Sequence, residues 1–464
     1  MLNEDDLSED QQAAVDRLFN FDQTYLIAPT GAGKTIVLLT AIAELIHSGD
    51  LSRVLVIAPL KVVETAWMNE AKKWEHLQGL RIGFAIGAPE ERREVLRGFD
   101  KIVVINEENA AWLFKEKGFP ENFNFNGIAI DEIGKWSDTG GERFKALRYK
   151  MKLFQWRVGM TAQPVGEGLI MLFGQVLLLD LGERYGRSRD RFKRKYFYPL
   201  DWDQHDWEIL PGKENKLIGR LRSLTHVMPD YKHELPPKTV HIRTIEIGGE
   251  AARTYNRMRI DSVLTLTGPA HPPIKAKNRG VLSGKLEQIA NGFLYYTPQP
   301  KTGEKKAAPR QTFKIHTTKA TWLSQRILEI VEKRGESVVI VYWFEADAIW
   351  LRKMYPEALE LGRNTAAVMK KWRSTRGQIM LLHPASAGHG VDGLQDTCSH
   401  ELWIAPTWSR DKKEQTEDRI WRRGQTEPVT IEVCVARGTI DEVKLAAVEE
   451  KGEYDKLLHE HLEV

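Results

Sequence analysis

The chain has 464 residues, which is too long for one ordinary hydrophobic core and fits two or three domains. With 42% hydrophobic and 28% charged residues, its composition is that of a folded globular protein and excludes an intrinsically disordered chain. The 67 Lys and Arg residues nearly balance the 64 Asp and Glu residues, so a nucleic-acid site would have to be a local basic surface.

The cysteines and the apolar tracts indicate where the protein works. Cys398 and Cys434 are the only two cysteines and lack the spacing of a zinc site, which favours a reducing compartment. The acidic, polar first residues do not resemble a signal peptide. The longest apolar tract, from Leu169 to Leu181, contains polar residues and is too short to span a bilayer. We therefore expect a cytoplasmic protein with no membrane partner.

The first predicted elements are a strand, a glycine-rich loop and a helix. The apolar run from Tyr25 to Ile27 precedes the loop APTGAGKT, from Ala28 to Thr35, and a second apolar run follows it. Gly31 and Gly33 allow the backbone to curl so that successive N–H groups face one anion, and the helix adds its positive end. This arrangement predicts a cradle for the phosphates of ATP.

Each residue type in this loop has a predicted role. Lys34 is expected to reach the β- and γ-phosphates, and the Thr35 hydroxyl is expected to bind Mg²⁺. The strict pattern has a glycine where this chain has Ala28, a common substitution in helicases. The predicted phosphate-binding residues are Thr30, Gly31, Ala32, Gly33, Lys34 and Thr35.

Short β-branched runs alternate with charged segments of helical periodicity, which predicts parallel sheets with helices on both faces. The first series of predicted strands is Val54–Ile57, Ile102–Ile105, Ile128–Ile130 and Arg157–Met160, and the second is Val338–Tyr342, Ile379–Leu382, Leu402–Ile404 and Val429–Val435. We interpret the two series as two α/β lobes, 1–165 and 236–464, separated by a helical insertion, 166–235.

Asp131 and Glu132 follow the third strand of the first series and provide a carboxylate pair for hydrolysis. Ligands bind at the carboxyl ends of strands in open α/β sheets. Asp131 is expected to hold Mg²⁺ through water, and Glu132 is expected to polarise the attacking water. An exposed acidic turn would have the same sequence, but the phosphate loop upstream favours the catalytic interpretation.

A second basic element lies near the end of the chain, in QTEDRIWRRGQ from Gln415 to Gln425. If this segment is a helix, Arg419 and Arg422 share a face and could approach one phosphate chain. Arginines in such positions neutralise charge that develops on the γ-phosphate. A solvated basic helix is the alternative.

Together these motifs resemble the superfamily-two helicases and, within them, the Swi/Snf-type ATPases. That family typically ends with a QxxxRxxRxGQ segment, a strand and a GT[IV]xE signature, which this chain provides between Gln415 and Glu442. The other similar segments are LSEDQ (Leu7–Gln11), APLKVVETAWMNEAKKW (Ala58–Trp74), GMTAQPV (Gly159–Val165), LPPKT (Leu235–Thr239) and SAGHGVDG (Ser386–Gly393). The resemblance extends from Leu7 to about Lys451.

The resemblance implies two RecA-like lobes with ATP in the cleft between them and DNA across the other side. It implies that Gln11 helps to bind adenine and that Gly390 and Asp392, in the glycine-rich motif of the second lobe, contribute to the nucleotide site. It also implies phosphate-backbone contacts to DNA. The residues expected to make them are Pro59, Lys61, Thr161 and Gly388.

This chain also departs from the family pattern. Gly134 stands where the DExH motif has histidine, and Gln163 replaces the second threonine of the TGTP motif. These changes concern the coupling of hydrolysis to movement more than hydrolysis itself. The chain has little room for domains beyond the motor, which resembles bacterial and bacteriophage members associated with replication, recombination or repair.

The insertion carries a basic run between Arg184 and Lys195, with seven Lys or Arg residues and one Asp. Arg191 and Lys193 are its candidates for DNA contact. A solvated helix face accounts for the run equally well.

The sequence as a whole predicts a monomeric, DNA-dependent ATPase that uses ATP and Mg²⁺ to move along double-stranded DNA. Two alternatives remain. One is a helicase that separates strands of DNA or RNA, and the other is a nucleic-acid-binding scaffold with weak or no ATPase activity. Protein partners are not predictable.

Overall fold

The computed structural model describes the chain except for residues 64–66, 117–118, 120–122, 167, 201, 203–206, 265–273, 299–308, 362–364, 388–392 and 463–464. The chain divides into two compact units. The first contains Met1–His233 together with Lys451–Val464, and the second contains Glu234–Glu450. The predicted insertion is therefore grouped with the first unit. The predicted boundaries at residues 165 and 235 stay a prediction.

The first unit is built on a seven-stranded sheet in the order β3-β4-β2-β5-β6-β1-β9, in which all neighbouring strands are parallel. Its strands in chain order are β1 (Gln23–Ile27), β2 (Val54–Ala58), β3 (Ile82–Ala85), β4 (Ile102–Asn106), β5 (Gly127–Asp131), β6 (Trp156–Thr161) and β9 (Thr225–Val227), and the short antiparallel hairpin is β7 (Phe197–Pro199) and β8 (Trp207–Ile209). Every residue of β2, β4, β5 and β6 is buried. Burial on both faces is why these strands read as continuous apolar runs.

Helices connect these strands and cover the sheet. They are α1 (Glu9–Asn20), α2 (Lys34–Ser48), α3 (Leu60–Val62), α4 (Met68–Glu70), α5 (Pro89–Arg97), α6 (Glu107–Leu113), α7 (Glu142–Arg148), α8 (Leu172–Asp180), α9 (Arg189–Tyr196) and α10 (Glu214–Gly219). Short 3₁₀ turns are Glu4–Asp6, Ala71–Lys73, Glu75–Leu77, Ile133–Trp136, Met151–Leu153, Leu169–Met171 and Tyr231–Glu234. Trp67 and Trp74, which helical spacing assigns to a core-facing stripe, are both buried.

The second unit contains a six-stranded parallel sheet in the order β10-β19-β18-β15-β17-β16. Its strands are β10 (Lys238–Ile245), β15 (Ser337–Val341), β16 (Leu359–Glu360), β17 (Ile379–Leu382), β18 (Cys398–Trp403) and β19 (Val429–Ala436), and two antiparallel pairs are β11 (Val263–Leu264) with β12 (Ile274–Lys275) and β13 (Phe293–Tyr296) with β14 (Gln311–Lys314). All strands predicted in the second series lie in this sheet. Two parallel-sheet lobes are therefore confirmed.

The helices of the second unit complete the α/β pattern. They are α11 (Gly249–Asp261), α12 (Arg279–Asn291), α13 (Thr318–Ile327), a π-helix (Leu328–Lys333), α14 (Glu345–Met354), α15 (Thr365–Ser374), α16 (Pro384–Ala387), α17 (Arg410–Glu417) and α18 (Ile440–Leu462). The last turns of α18 belong to the first unit, where Leu458 is fully buried in the hydrophobic core. Within the described residues, no helix is long and apolar enough to cross a membrane.

Candidate nucleotide-binding site

Parallel strand order brings four predicted motifs to one edge of the first sheet. The loop after β1, Pro59 after β2, Asp131 at the end of β5 and Thr161 at the end of β6 all lie at carboxyl ends. The Ala28 N–H donates to the Thr161 carbonyl over 3.1 Å, which ties the start of the phosphate loop to β6. In an open α/β sheet this edge is where ligands bind.

The loop has the backbone shape that its glycines predict. Gly31 and Gly33 have φ values of 84° and 89°, in the left-handed region that favours glycine. Helix α2 begins directly after them, so its first N–H groups face the loop without intrahelical partners. The loop and the helix end together have the backbone geometry that suits an anion.

Lys34 lies folded onto its own loop. Its Nζ donates to the carbonyl of Ala28 over 3.0 Å and to the carbonyl of Pro29 over 3.3 Å. Both acceptors are neutral, and charged phosphate oxygens are stronger partners for an ammonium group. The side chain is thus placed where an incoming phosphate chain would attract it, and Thr35 follows it in the first turn of α2.

Asp131 is a buried carboxyl group that lacks a full counter-charge. Burial and, to a smaller extent, the neighbouring Glu132 raise its pKa to about 6 against the opposing effects of Lys34 and Trp67. A divalent cation would supply the missing positive charge, so Asp131 and the Thr35 hydroxyl fit Mg²⁺. Among the described residues, no group of three or more His, Cys, Asp or Glu side chains could hold a metal ion by itself. The remaining ligands would then be phosphates and water, as is usual for Mg²⁺.

Glu132 has an unusual backbone for its residue type. Its φ of 55° and ψ of 52° are left-handed values, which cost a residue with a Cβ about 1–3 kcal/mol. The conformation turns the chain sharply at the end of β5, immediately after Asp131. It leaves Glu132 partly exposed at the edge where the phosphate loop lies.

Two buried side chains beside the site were not predicted to belong to it. Trp67 was assigned to the core, and it is fully buried, but it also lies close enough to Asp131 to lower the pKa of that carboxyl. Tyr231 donates its hydroxyl to the Thr30 carbonyl over 2.9 Å. A Cβ on Gly31 would lie 2.5 Å from that hydroxyl. No local sequence signal marks Tyr231, because it lies 201 residues from Thr30 along the chain.

Gln11 lies against the phosphate loop. Its Nε2 donates to the Ala32 carbonyl over 3.0 Å, and its Oε1 accepts from the Ser8 N–H over 3.0 Å in the capping box of α1. A Cβ on Gly33 would collide with this amide. Gln11 therefore supports the loop, and its contact with adenine stays a prediction.

The TAQP segment, Thr161–Pro164, lies at the same edge of the sheet. Thr161 is buried, and its Oγ1 accepts from the Gln163 N–H over 3.1 Å. Gly134 lies beside this pair, since a Cβ built on it would be 3.4 Å from both the Thr161 hydroxyl and the Gln163 carbonyl. The position where the family has histidine thus faces the motif that follows β6, without a side chain to bridge them.

The predicted helix over 415–425 is wrong. Helix α17 ends at Glu417, and the segment with Arg419 and Arg422 continues in turns. Gln425 holds these turns together, because its Nε2 donates to the carbonyls of Cys398 and Ile420, each over 2.9 Å. Arg419 is buried and Arg422 is partly exposed, both within the second unit.

The structure describes some of the residues predicted to contact DNA and not others. Pro59 is buried at the start of α3, and Lys61 lies in that short helix, although its side chain is outside the described part. Arg191 is exposed on α9, whereas the Lys193 Nζ lies 4.5 Å from the centre of the Trp207 ring. The three predicted residues of the glycine-rich motif, Gly388, Gly390 and Asp392, lie outside the described residues.

Comparisons with known proteins show which families and proteins this chain resembles. Residues 8–166 match the model of the DEAD/DEAH box helicase family. The chain is 28% identical over 468 residues to "Putative protein p41" of Acyrthosiphon pisum secondary endosymbiont phage 1, with 97% of each covered. It is 20% identical to a Caenorhabditis elegans protein described as a "SWI/SNF-related matrix-associated actin-dependent regulator of chromatin subfamily A containing DEAD/H box 1 homolog", over 92% of this chain and 48% of that protein.

A solved structure is also similar. It is the "Sulfolobus solfataricus SWI2/SNF2 ATPase core in complex with dsDNA", with 19% identity, a TM-score of 0.43, and coverage of 99% of this chain and 97% of that one.

The helicase domain matched over residues 8–166 and the phosphate loop at the sheet edge support an ATPase/helicase enzyme. Within that class, the chain is similar over nearly its whole length to Swi/Snf-type helicases, as its motifs predicted. It spans about half the length of the Caenorhabditis elegans relative.

Proposed function

We propose that the protein is a Swi/Snf-type motor that couples ATP hydrolysis to movement along double-stranded DNA, in replication, recombination or repair. The observation that carries the proposal is the sheet edge where the loop with Lys34, the buried Asp131 and the left-handed Glu132 all lie at carboxyl ends of strands. An ATP-hydrolysing site needs a phosphate loop, a metal-binding carboxylate and a group that orients water. This edge offers a candidate for each.

In this proposal, each site residue of the first unit has a separate role in ATP binding or hydrolysis. Thr30, Gly31, Ala32 and Gly33 present the loop backbone to the phosphates, with Gln11 beside them on the adenine side. Lys34 binds the β- and γ-phosphates, and Thr35 and Asp131 hold Mg²⁺. The ion supplies positive charge that offsets the phosphate oxygens. Glu132 accepts the proton of the attacking water.

The second unit contributes the arginines. Arg419 and Arg422 neutralise charge on the γ-phosphate, and Gly390 and Asp392 complete the nucleotide site. In this proposal, ATP binding and hydrolysis change the charge that these residues contact. Such a cycle converts chemistry into movement.

The DNA contacts are sequence-independent in this proposal. Pro59, Lys61, Thr161 and Gly388 contact the phosphate backbone of one strand, and the exposed basic face of α9 with Arg191 and Lys193 adds charge. Backbone contacts position a protein without reading bases. A monomer in the cytoplasm is sufficient for this activity.

The test is the ATPase rate with single-stranded, duplex and forked DNA and with RNA, at a fixed salt concentration because phosphate contacts are salt-dependent. We expect duplex DNA to raise the rate and the protein to displace the third strand of a triplex. Lys34→Ala is the control without nucleotide binding. Unwinding of forks without triplex displacement would favour a strand-separating helicase. No phosphate release with any ligand would favour the scaffold.

A further inference from the structure

We infer that Tyr231 is a positioning residue for ATP, because its hydroxyl fixes one peptide plane of the phosphate loop. This inference rests on the proposed ATP site and adds a residue to it. Tyr231 is almost fully buried, with 4% of its surface exposed, and lies in the 3₁₀ turn Tyr231–Glu234 that follows β9. Strand β9 pairs with β1, which leads into the loop.

The hydrogen bond from Tyr231 determines where a loop N–H points. Because the peptide bond between Thr30 and Gly31 is planar and trans, its C=O and N–H point in opposite directions. The Thr30 carbonyl is turned to the Tyr231 hydroxyl, 2.9 Å away. The Gly31 N–H is therefore directed away from Tyr231.

Gln11 fixes the orientation of the peptide bond between Ala32 and Gly33 in the same way. Its amide binds the Ala32 carbonyl, so the Gly33 N–H is also directed away from the supporting side chain. In the described part of the chain, neither glycine N–H donates to another protein group, whereas the Ala32 N–H between them is bonded to Pro29. Two side chains from different elements thus leave alternate N–H groups available for an anion.

The space around the loop supports the same conclusion. The Tyr231 hydroxyl occupies the position 2.5 Å from where a Cβ of Gly31 would be. Two requirements therefore favour glycine at this position: the left-handed φ and the close approach of the Tyr231 hydroxyl. A loop held in this way loses less conformational entropy when phosphate binds.

The experiment compares Tyr231→Phe with wild type in the full chain, without DNA. Removal of the hydroxyl leaves the ring in place and frees the Thr30 carbonyl. We expect the Kd for ATP to rise roughly three- to tenfold, since a net hydrogen bond is worth this factor. We expect KM to rise by the same factor while kcat stays within about twofold, as for an interaction made equally in ground and transition states.

Tyr185→Phe is the matched control. Its hydroxyl also donates to a backbone carbonyl of the first unit, that of Leu217, over 2.9 Å, and its ring packs against Phe192 and Tyr196. Both variants lose one buried hydrogen bond, so a general loss of stability would affect them alike. Only Tyr231→Phe should change the Kd for ATP.

Inorganic tripolyphosphate, which competes for the cradle without a base or sugar, completes the test. We expect Tyr231→Phe to weaken it by the same factor as ATP. An unchanged Kd for ATP, or weaker ATP binding with unchanged tripolyphosphate binding, overturns the inference. If the wild-type protein does not bind ATP, the proposed function fails. If the wild type binds ATP and Tyr231→Phe binds it equally well, only the inference about Tyr231 fails.

Discussion

Glu132 joins a predicted catalytic role to a costly backbone conformation. Left-handed φ values in residues with a Cβ persist only where the surroundings enforce them, and they cluster at functional sites. The fully buried strand before Glu132, and Ile133 and Trp136 buried in the turn after it, hold the chain on both sides of this residue. The conformation therefore supports the role proposed for this side chain.

Replacement of Glu132 by Gln should separate binding from turnover. The amide retains the size of the side chain but cannot accept a proton, so we expect kcat to fall about 10²- to 10⁴-fold. Nucleotide affinity should stay near the wild-type value. Phosphate release and calorimetric ATP binding measure the two effects. Glu142→Gln, an exposed substitution on α7, is the control. Near-full turnover by Glu132→Gln would refute the assignment.

Glu401 is a second buried carboxyl group, and it lies in the second unit. Burial and, to a smaller extent, Glu417 raise its pKa to about 8 against the opposing effects of Trp403, Lys238 and Lys413. The pKa of Glu417 is instead lowered against the effect of its burial by Lys413 and Lys238. At neutral pH the pair therefore holds one proton, on Glu401.

This proton makes stability depend on pH. A glutamate in an unfolded chain titrates near 4.3, so between roughly pH 4.3 and 8 this carboxyl group binds more protons in the folded state than in the unfolded state. The contribution of Glu401 to the free energy of unfolding should then fall as pH rises through that window. Urea unfolding at pH 5, 6, 7 and 8 measures the slope. Glu401→Gln should flatten it, and the exposed Glu442→Gln should leave it unchanged. A wild-type slope in Glu401→Gln would contradict the pKa shift.

Single residues also show what the sequence could not reveal. Lys34, Asp131 and Thr161 were predictable because each belongs to a local motif that follows a strand. Tyr231 was not, because its contact with Thr30 depends on how distant segments pack. Long-range contacts of this kind leave no periodic or spacing signal.

Elements were predictable where burial alone determines them. The strands β2, β4 and β5 are buried along their whole length, so their apolar runs were sufficient. The segment after α17 was not, because the spacing of Arg419 and Arg422 suits a helix while Ile420 and Gln425 make tertiary contacts that require turns. Tertiary contacts outweighed helix propensity, which is a weak preference.

Helix α9 separates into a buried and an exposed face. Phe192 and Tyr196 are buried, whereas Arg191 and Arg194 are exposed. If the exposed face binds DNA, changing both arginines to Ala should weaken duplex binding. The slope of log affinity against log salt should decrease by about 2, because each arginine neutralises one DNA phosphate.

The control for this prediction is a second pair of exposed basic residues. Arg81 and Lys101 precede β3 and β4 at the amino ends of these strands, opposite the proposed ligand edge. Replacing both with Ala changes the net charge equally. Fluorescence anisotropy with labelled duplex at several salt concentrations compares the variants. Equal effects of both pairs would mean that α9 is an ordinary solvated face.

The whole molecule contains one unit made from two stretches of chain. Leu458, in the last helix, is fully buried in the core of the first unit. Arg222 of the same unit donates to the His461 carbonyl over 3.0 Å. The first unit therefore depends on residues that lie beyond the second unit in the sequence.

Leu458→Ala should destabilise the first unit by about 2–5 kcal/mol, the usual range for a large-to-small core substitution. Thermal unfolding with and without ATP identifies the relevant transition, because ATP stabilises the unit that binds it. Val443→Ala, on the exposed side of the same helix, is the control. Equal effects of the two substitutions would show that Leu458 adds nothing to this core.

The returning segment also sets an order of events during synthesis. The ribosome releases residues 1–233 long before it makes residues 451–464. At about 5–20 residues per second, the interval is roughly 10–50 s. Throughout that time the nucleotide-binding unit lacks the leucine that completes its core, although its P-loop and sheet are already made. The second unit can therefore fold before the first unit has all of its residues. The first unit is the first to be synthesised and the last to be completed.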